Sequence, residues 1–332
     1  MSEIGNLVIS WIMCGITFGS IIMYGALGEI LTEKSGNMNL GTRGIMCIGG
    51  AFGFGGAYLY EINTETPNAV VTIIFALVCA FLSSALAGAL FCFLTTTLRA
   101  NQNVTGLALT IFGSGLAKFF GTFIIPKGTT TVKAAFANRI FSAAIATESP
   151  VLKIFLGHGF MMYLALVVAI AMGYFLKRTR MGLNLRAVGE NPATADAAGI
   201  NVSRFKYAAT ILGAGISGLG GVYYVLDYNY GGWSTAAAGD LESLGWLAVA
   251  LVIFAVWRPL NLIWGSYLFG LCYWLYSFIS VFGVKTNAAQ SSLLEMIPYV
   301  VTIVVLIVSS IRKKKENQPP ASLGLSYFRE ER

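Results

Sequence analysis

Nine continuous apolar runs, most of them long enough to cross a bilayer, constrain this chain more than any other feature. A helix needs about 20 apolar residues to span the hydrocarbon core. Only 11% of the 332 residues are charged, against about 25% in a soluble domain. The runs lack strand-like alternation, so we predict an all-α polytopic membrane protein with about nine transmembrane helices. The predicted spans are residues 5–31, 44–60, 69–95, 104–125, 154–176, 204–226, 241–257, 259–284 and 293–311.

The distribution of basic residues predicts the orientation. Segment 177–206 and the tail 312–332 hold 12 of the 22 Lys and Arg residues. Cytoplasmic loops are enriched in these residues, so both segments are predicted to be cytoplasmic, with the N-terminus outside. Loop 126–153 disagrees, because it is basic and yet falls outside. The chain then consists of a transmembrane domain, 1–311, and a basic cytoplasmic tail. The net charge of +7 follows from this topology and does not indicate a nucleic-acid partner.

Few residues in the sequence could carry chemistry. The five cysteines lie in apolar runs without metal-ligand spacing, and His158 is the only histidine. One histidine can build neither a zinc site nor an HExxH motif. The dipeptide Gly-Lys of a phosphate-binding P-loop does not occur in the sequence. We therefore predict no catalytic residue, no metal site and no bound cofactor in this chain.

Glycine is abundant, at 38 residues, and close helix packing in a bilayer depends on small residues. The stretches 49–56 and 213–221 are therefore predicted to be helix contact faces. A further Gly-rich stretch, 36–50, is too polar for the centre of a regular span. It fits either a helix broken at membrane depth, whose freed backbone lines a cavity, or a plain cytoplasmic turn.

Segment 177–206 contains the signals of a short helix between two spans. Asn191 is a good N-cap, Pro192 suits the first helical position, and Gly199 suits the residue after the last turn. The predicted helix, 192–198, is rich in alanine and has little core of its own. It fits either a surface that docks into a groove on another protein or a connector that lies on the membrane.

This segment resembles the coupling-helix region of ATP-binding-cassette (ABC) importer permeases for ribose, branched-chain amino acids and nucleosides. The matching residues are Arg178, Thr179, Gly182, Leu185, Arg186, Ala187, Val188, Gly189, Asn191, Pro192, Ala195, Ala198, Gly199 and Ile200. The resemblance implies that the short helix contacts a separate ATP-binding subunit, which holds ATP and Mg²⁺. The residues expected to couple the two subunits are Arg186, Glu190, Asn191, Pro192, Ala195, Ala198 and Gly199.

Several other segments resemble the nucleoside-permease branch of the same group. Residues 28–52 follow its pattern of Gly, Glu, Asn and Met positions, although Arg43 stands where that pattern has an acidic residue. Segments 101–121, 245–259 and 296–308 are also similar. The resemblance implies a type II-like ABC importer permease of the cell inner membrane that carries nucleosides. It also implies two partners, a second, related but different permease and an extracytoplasmic substrate-binding (lipo)protein.

Two alternatives to a nucleoside permease stay open. One is an ABC permease for simple sugars or branched-chain amino acids. The other is a self-contained secondary transporter, which normally needs ionisable residues at the membrane centre. Glu29 and Lys118 lie toward span ends, where they are expected to snorkel or cap. Glu242 and Glu295 are expected near the outer surface, which would leave the span centres almost free of charge.

The solute path is the least determined part of the sequence. An uncharged nucleoside needs neutral hydrogen-bonding groups and an aromatic face for its base. The candidates are Asn39, Thr105, Thr110, Phe112 and Ser114. Ordinary packing is an alternative role for each of them, and for Phe112 in particular.

Overall fold

The computed structural model of the chain describes residues 3–125, 129–145, 147, 149–281 and 318–328, with scattered positions between 287 and 307. The described helices are α1 Glu3–Glu33, α2 Thr42–Ile62, α3 Ala69–Cys92, α4 Gln102–Ile124, α5 Ala135–Phe141, α6 Pro150–Leu156, α7 Phe160–Arg178, α8 Arg180–Glu190, α9 Pro192–Ala197, α10 Val202–Tyr223, α11 Thr235–Phe254 and α12 Pro259–Val281. Two π-helical turns, Phe93–Thr97 and Tyr224–Tyr228, continue α3 and α10. The short strands are β1 Thr131–Lys133 and β2 Gly232–Ser234.

Within the described residues, seven helices are long and apolar enough to cross a membrane. They are Gly5–Glu33, Thr42–Ile62, Ala69–Thr97, Gln102–Ile124, Phe160–Arg178, Val202–Tyr228 and Ala236–Phe254. They coincide with the first seven predicted spans, which confirms a helical, multi-pass membrane protein. Helix α12 overlaps the eighth predicted span, 259–284, and the ninth, 293–311, lies partly outside the described residues. The count of nine spans and the orientation stay predictions.

Two predicted boundaries were wrong because local signals override hydropathy. The fifth span was predicted to begin at residue 154, but the chain leaves the helix between Gly157, which ends α6, and Gly159, which precedes α7. The seventh was predicted as 241–257. Its helix begins earlier, since the Ser234 hydroxyl caps it by accepting from the Ala237 N–H at 3.2 Å.

Helices α1, α2 and α10 pack together through glycine. A Cβ atom at Gly28 would overlap the carbonyl oxygen of Gly213, and one at Gly49 would overlap the backbone of Gly218. Such close approach maximises van der Waals contact, which drives helix association where lipid removes the hydrophobic effect. The predicted contact faces 49–56 and 213–221 are confirmed by these contacts.

The chain between α1 and α2, residues 34–41, is irregular and buried. Asn37 is fully buried and donates to the Thr210 hydroxyl at 3.1 Å. The Leu40 carbonyl accepts from the Thr110 hydroxyl at 3.0 Å. Thr110 lies eight residues into α4, roughly 12 Å from the start of that helix. Residues 34–41, called the break below, therefore form a buried, irregular connection between two continuous helices, and regular helix resumes at Thr42 rather than after residue 50. The choice between a helix broken at membrane depth and a plain turn stays a prediction.

The two strands pair at one end of the bundle. Strand β1 follows α4, strand β2 precedes α11, and they are antiparallel with Val132 opposite Trp233. This pairing places residues 131–133 and 232–234 at the same end, as the parity of the predicted spans requires. The opposite end, which carries segment 177–206, is called the basic end below.

Candidate functional site

The short helix predicted at the basic end is present within one residue of its expected bounds. Helix α9 covers Pro192–Ala197, and the Asn191 side chain caps it by accepting from the Thr194 N–H at 3.0 Å. The chain leaves the helix at Gly199, whose φ of +82° is a left-handed conformation that favours glycine. Helix α8, capped by Thr179, precedes it and turns the chain back from α7.

The seven predicted coupling residues divide into an inner and an outer set. Ala195 is buried against Val188 and Val202, so it fixes α9 to the bundle. Arg186 and Pro192 are half-buried, and the exposed members are Glu190, Asn191, Ala198 and Gly199. The accessible surface is therefore the end of α9 and its flanking turns rather than the whole alanine face.

Residues 318–328, here called the tail strap, fold back over this region. The Ser322 N–H and hydroxyl both donate to the Gly189 carbonyl, at 3.0 and 2.5 Å. The Tyr327 hydroxyl donates to the Asp196 carboxylate at 2.8 Å. The Gly324 N–H donates to the Gly36 carbonyl at 3.2 Å. The strap thus connects α8, α9 and the break between α1 and α2.

Two glutamates at the end of α1 are buried beside the break. The Glu29 carboxylate accepts from the Thr42 hydroxyl, and the Glu33 carboxylate accepts from the Trp257 indole N–H. Both carboxyl groups lie inside the protein, with Glu29 only 1% exposed. The expectation that Glu29 snorkels or caps was therefore wrong: Thr42 donates to one of its carboxylate oxygens, and the other, Oε1, is buried without a hydrogen-bond partner among the described residues.

An ion pair and an aromatic ring lie together just after the break. We call these residues, Arg43, Glu242 and Trp246, the Arg43 cluster. The guanidinium of Arg43 lies 3.4 Å from the Glu242 carboxylate and 4.0 Å from the centre of the Trp246 ring. Trp246 remains 41% exposed. A Cβ at Gly245 would overlap Arg43, so glycine permits this approach of α2 to α11.

The Arg43 cluster lies deeper than the sequence indicated. Glu242 is the seventh residue of the span Ala236–Phe254, and Arg43 is in the first turn of α2, at the depth of the break. Glu242 was expected near the outer surface, because the start of α11 was placed too late. Sequence reasoning noted the unusual Arg43 but could not find a partner so distant along the chain.

The predicted path residues do not form one site. The Asn39 side chain accepts from the Gly41 N–H at 3.0 Å and Thr110 binds Leu40, so these two stabilise the break. Thr105 and Ser114 donate to carbonyls of their own helix. Phe112 is 53% exposed. Three of the five, Asn39, Thr110 and Ser114, are buried in the single chain.

In the described part of the chain, no group of three or more His, Cys, Asp or Glu side chains is placed to hold a metal ion. The Arg43 cluster combines a paired cation and carboxylate with an aromatic ring. Such a set suits a polar, uncharged organic ligand better than an ion.

The chain is similar to known transport permeases along almost its whole length. The family model described as "Branched-chain amino acid transport system / permease component" matches residues 12–308. A putative glucose ABC transporter permease, TsgC13 of Haloferax volcanii, is 32% identical over 94% of this chain and 95% of its own length. The nucleoside ABC transporter permease NupC of Lactococcus lactis is 30% identical over 88% and 89%. The guanosine ABC transporter permease NupQ of Bacillus subtilis is 27% identical over the same shares. No solved structure matches the chain significantly.

Proposed function

Because the chain belongs to the family of branched-chain amino acid transport system permease components, we propose that it is the membrane-spanning subunit of an ABC importer that carries nucleosides into the cell. Relatives that are named as nucleoside and guanosine permeases support this substrate class. The similar permease named for glucose supports a simple sugar as the second candidate. Both solutes are neutral and polar, and they differ in the flat, aromatic base.

The observation that carries the nucleoside proposal is the exposed ring of Trp246, which lies beside the Arg43–Glu242 ion pair within a candidate membrane span. A base can stack on an exposed indole, while the Arg43–Glu242 pair offers donors and acceptors to ribose. The two charges compensate each other, so the site has no reason to select a charged solute. We propose that the Arg43 cluster and the exposed ring of Phe112 face the solute path.

We call the separate ATP-binding subunit of the importer the motor. Its proposed contact with this chain, the motor contact, is the exposed end of α9. The chain has no P-loop of its own, so ATP and Mg²⁺ would be bound by an ATP-binding subunit that grips Asn191, Ala198 and Gly199. This arrangement requires the basic end to be cytoplasmic, in the cell inner membrane. A substrate-binding (lipo)protein would deliver the solute at the opposite end, near β1 and β2, and a second, related permease would complete the path.

Competitive uptake in a strain that lacks the gene tests the substrate. Restoring the chain should restore uptake of labelled guanosine and adenosine, with excess unlabelled nucleoside competing and excess glucose or leucine not competing. Competition by glucose alone would replace the nucleoside proposal with the sugar candidate.

A Trp246 series sharpens the same experiment. Trp246→Phe keeps an aromatic face and should retain nucleoside uptake, whereas Trp246→Leu should reduce it about tenfold, since base stacking contributes about 1–3 kcal/mol. Equal uptake by both variants would remove Trp246 from the path.

Dependence on a motor separates the importer from a secondary transporter. Proteoliposomes that contain both permeases and the ATP-binding subunits should accumulate nucleoside only with ATP and the binding protein. Accumulation driven by a proton or sodium gradient, without the ATP-binding subunits, would contradict the proposal.

A further inference from the structure

A cavity of about 530 Å³ opens between α7, α8 and the start of α12 at the basic end. We call it the basic pocket. Its lining residues are Lys34, Gly173, Leu176, Lys177, Arg186, Glu190, Trp257, Arg258, Pro259, Leu260, Asn261 and Gln318. One wall is polar and the other is apolar, so the pocket matches a molecule with both characters rather than a simple ion.

The polar wall has a strong positive charge. Four cations, Lys34, Lys177, Arg186 and Arg258, face the single carboxylate of Glu190, and that carboxylate is exposed. The Nε atom of Arg186 is buried and has no hydrogen-bond partner among the described residues. The Glu33 carboxylate also acts on Lys34, so these four cations and two carboxylates carry a formal net charge of +2, which favours an anionic ligand.

The charges around Lys34 act on its pKa in both directions. Burial lowers the pKa of Lys34, and the neighbouring Arg186 and Arg258 lower it further, while Glu190 and Glu33 act in the opposite direction. An anionic ligand would favour the charged lysine and relieve the repulsion between the cations.

The apolar wall belongs to helix faces at the edge of the bundle. Leu260 is 42% exposed and packs against Gly173, whose missing side chain brings α7 and α12 together. Leu176 lies beside them on α7. This wall continues the surface of α7, a candidate membrane span, and of α12, the eighth predicted span, so hydrocarbon chains would reach it directly.

We propose that the basic pocket binds the phosphate headgroup of an anionic phospholipid, with its acyl chains lying along α7 and α12. The pocket is at the end where the basic segments indicate the cytoplasmic leaflet, whose anionic lipids attract clustered Lys and Arg. A free phosphate would satisfy the cations but would leave the leucine wall uncovered. The lipid would connect Lys34, beside the break, with Lys177 and Arg186 on the two sides of the α7–α8 turn.

Native mass spectrometry of the full-length chain in detergent tests this proposal. Titration with phosphatidylglycerol should show one retained lipid, bound at least tenfold more tightly than phosphatidylcholine. The double variant Lys34→Gln/Lys177→Gln should lose about tenfold in phosphatidylglycerol affinity. The matched control Arg180→Gln/Arg204→Gln removes two exposed cations of the same end that do not line the pocket, and it should bind like the wild type.

Several outcomes would overturn the proposal. They are equal binding of phosphatidylcholine, unchanged affinity in the double variant, or an equal loss in the control. Displacement of the lipid by equimolar inorganic phosphate would assign the pocket to a free anion. Loss of the lipid when the ATP-binding subunit binds would assign it to a protein contact. If the double variant is not monodisperse, Lys177→Gln alone, at an exposed position, gives the same test with a smaller shift.

Discussion

The coupling segment and the Arg43 cluster are built in opposite ways. In the coupling segment, each cap connects residues three apart, as in Asn191 with Thr194 and Thr179 with Gly182. In the Arg43 cluster, the contacts join α2 to α11, which are distant along the chain. The local shape of the first region is set by caps within its own sequence, whereas the second exists only while two spans stay in place. A transporter that is driven by a separate subunit requires a contact segment of fixed shape and a solute path whose shape depends on the conformation of the bundle.

This contrast predicts which substitutions affect uptake alone and which also affect the stability of the bundle. Changes in the coupling segment should reduce transport while the bundle remains stable. Changes in the Arg43 cluster should affect both transport and stability. The following variants are ordered from the largest expected loss of uptake to the smallest.

Gly199→Glu should abolish uptake. It forces a side chain into the left-handed conformation at φ +82°, at a cost of about 1–2 kcal/mol, and adds a charge to the proposed motor contact. The control is Gly199→Asn, since asparagine tolerates this conformation, and it should retain most uptake. Membrane insertion should be unchanged in both variants, and the strain at this exposed turn should lower the melting temperature in detergent only slightly in Gly199→Glu. Full uptake by Gly199→Glu would remove this turn from the motor contact.

Arg43→Gln should lower uptake by more than tenfold and should also lower the melting temperature. The substitution leaves the Glu242 carboxylate without its ion-pair partner. Because the Glu242 side chain is 31% exposed, the loss in free energy of unfolding should be a few kcal/mol at most. The double variant Arg43→Gln/Glu242→Gln should recover the melting temperature but not the uptake. A thermal-shift assay beside the uptake assay gives the coupling energy. Additive losses in the double variant would show that the pair does not interact.

Asn191→Ala should reduce uptake severalfold, because loss of an N-cap costs about 1 kcal/mol. Asn191→Asp keeps the capping oxygen and is the matched control. The ratio of ATP hydrolysed to nucleoside imported should rise in the alanine variant, since the motor would turn over with a poorly ordered contact. A lower melting temperature with unchanged uptake would contradict the division between the two regions.

Tyr327→Phe should have the smallest effect, below threefold on uptake. It removes the hydrogen bond of the tail strap to Asp196, worth about 1.5–3 kcal/mol to a charged partner when buried and less at this half-exposed position. Asp196→Asn is the reciprocal variant. The protection of the α9 amides in hydrogen exchange should fall in both. Unchanged protection would show that the strap does not hold α9 through this contact.

The same contrast explains how much could be predicted from the sequence. The spans and the short helix predicted at 192–198 depend on runs and caps that a local pattern encodes, and the structure confirms the first seven spans and a helix over Pro192–Ala197. The irregular backbone at 34–41 was predicted from its composition, which is unusual for a regular span. Glu29 and Glu242 were not placed correctly and Arg43 was given no partner, because the environment of all three is set by residues on other helices. The proposed solute-path residues failed to converge for the same reason.

The tail strap has a consequence for biogenesis. Residues 318–328 follow all of the described helices in the sequence, so a ribosome synthesises them after those helices have emerged. Their contacts with Gly189, Asp196 and Gly36 therefore form late. In a chain that is still being translated, α8 and α9 therefore lack their contacts with the tail strap. Binding of the proposed ATP-binding subunit would then follow completion of the membrane domain.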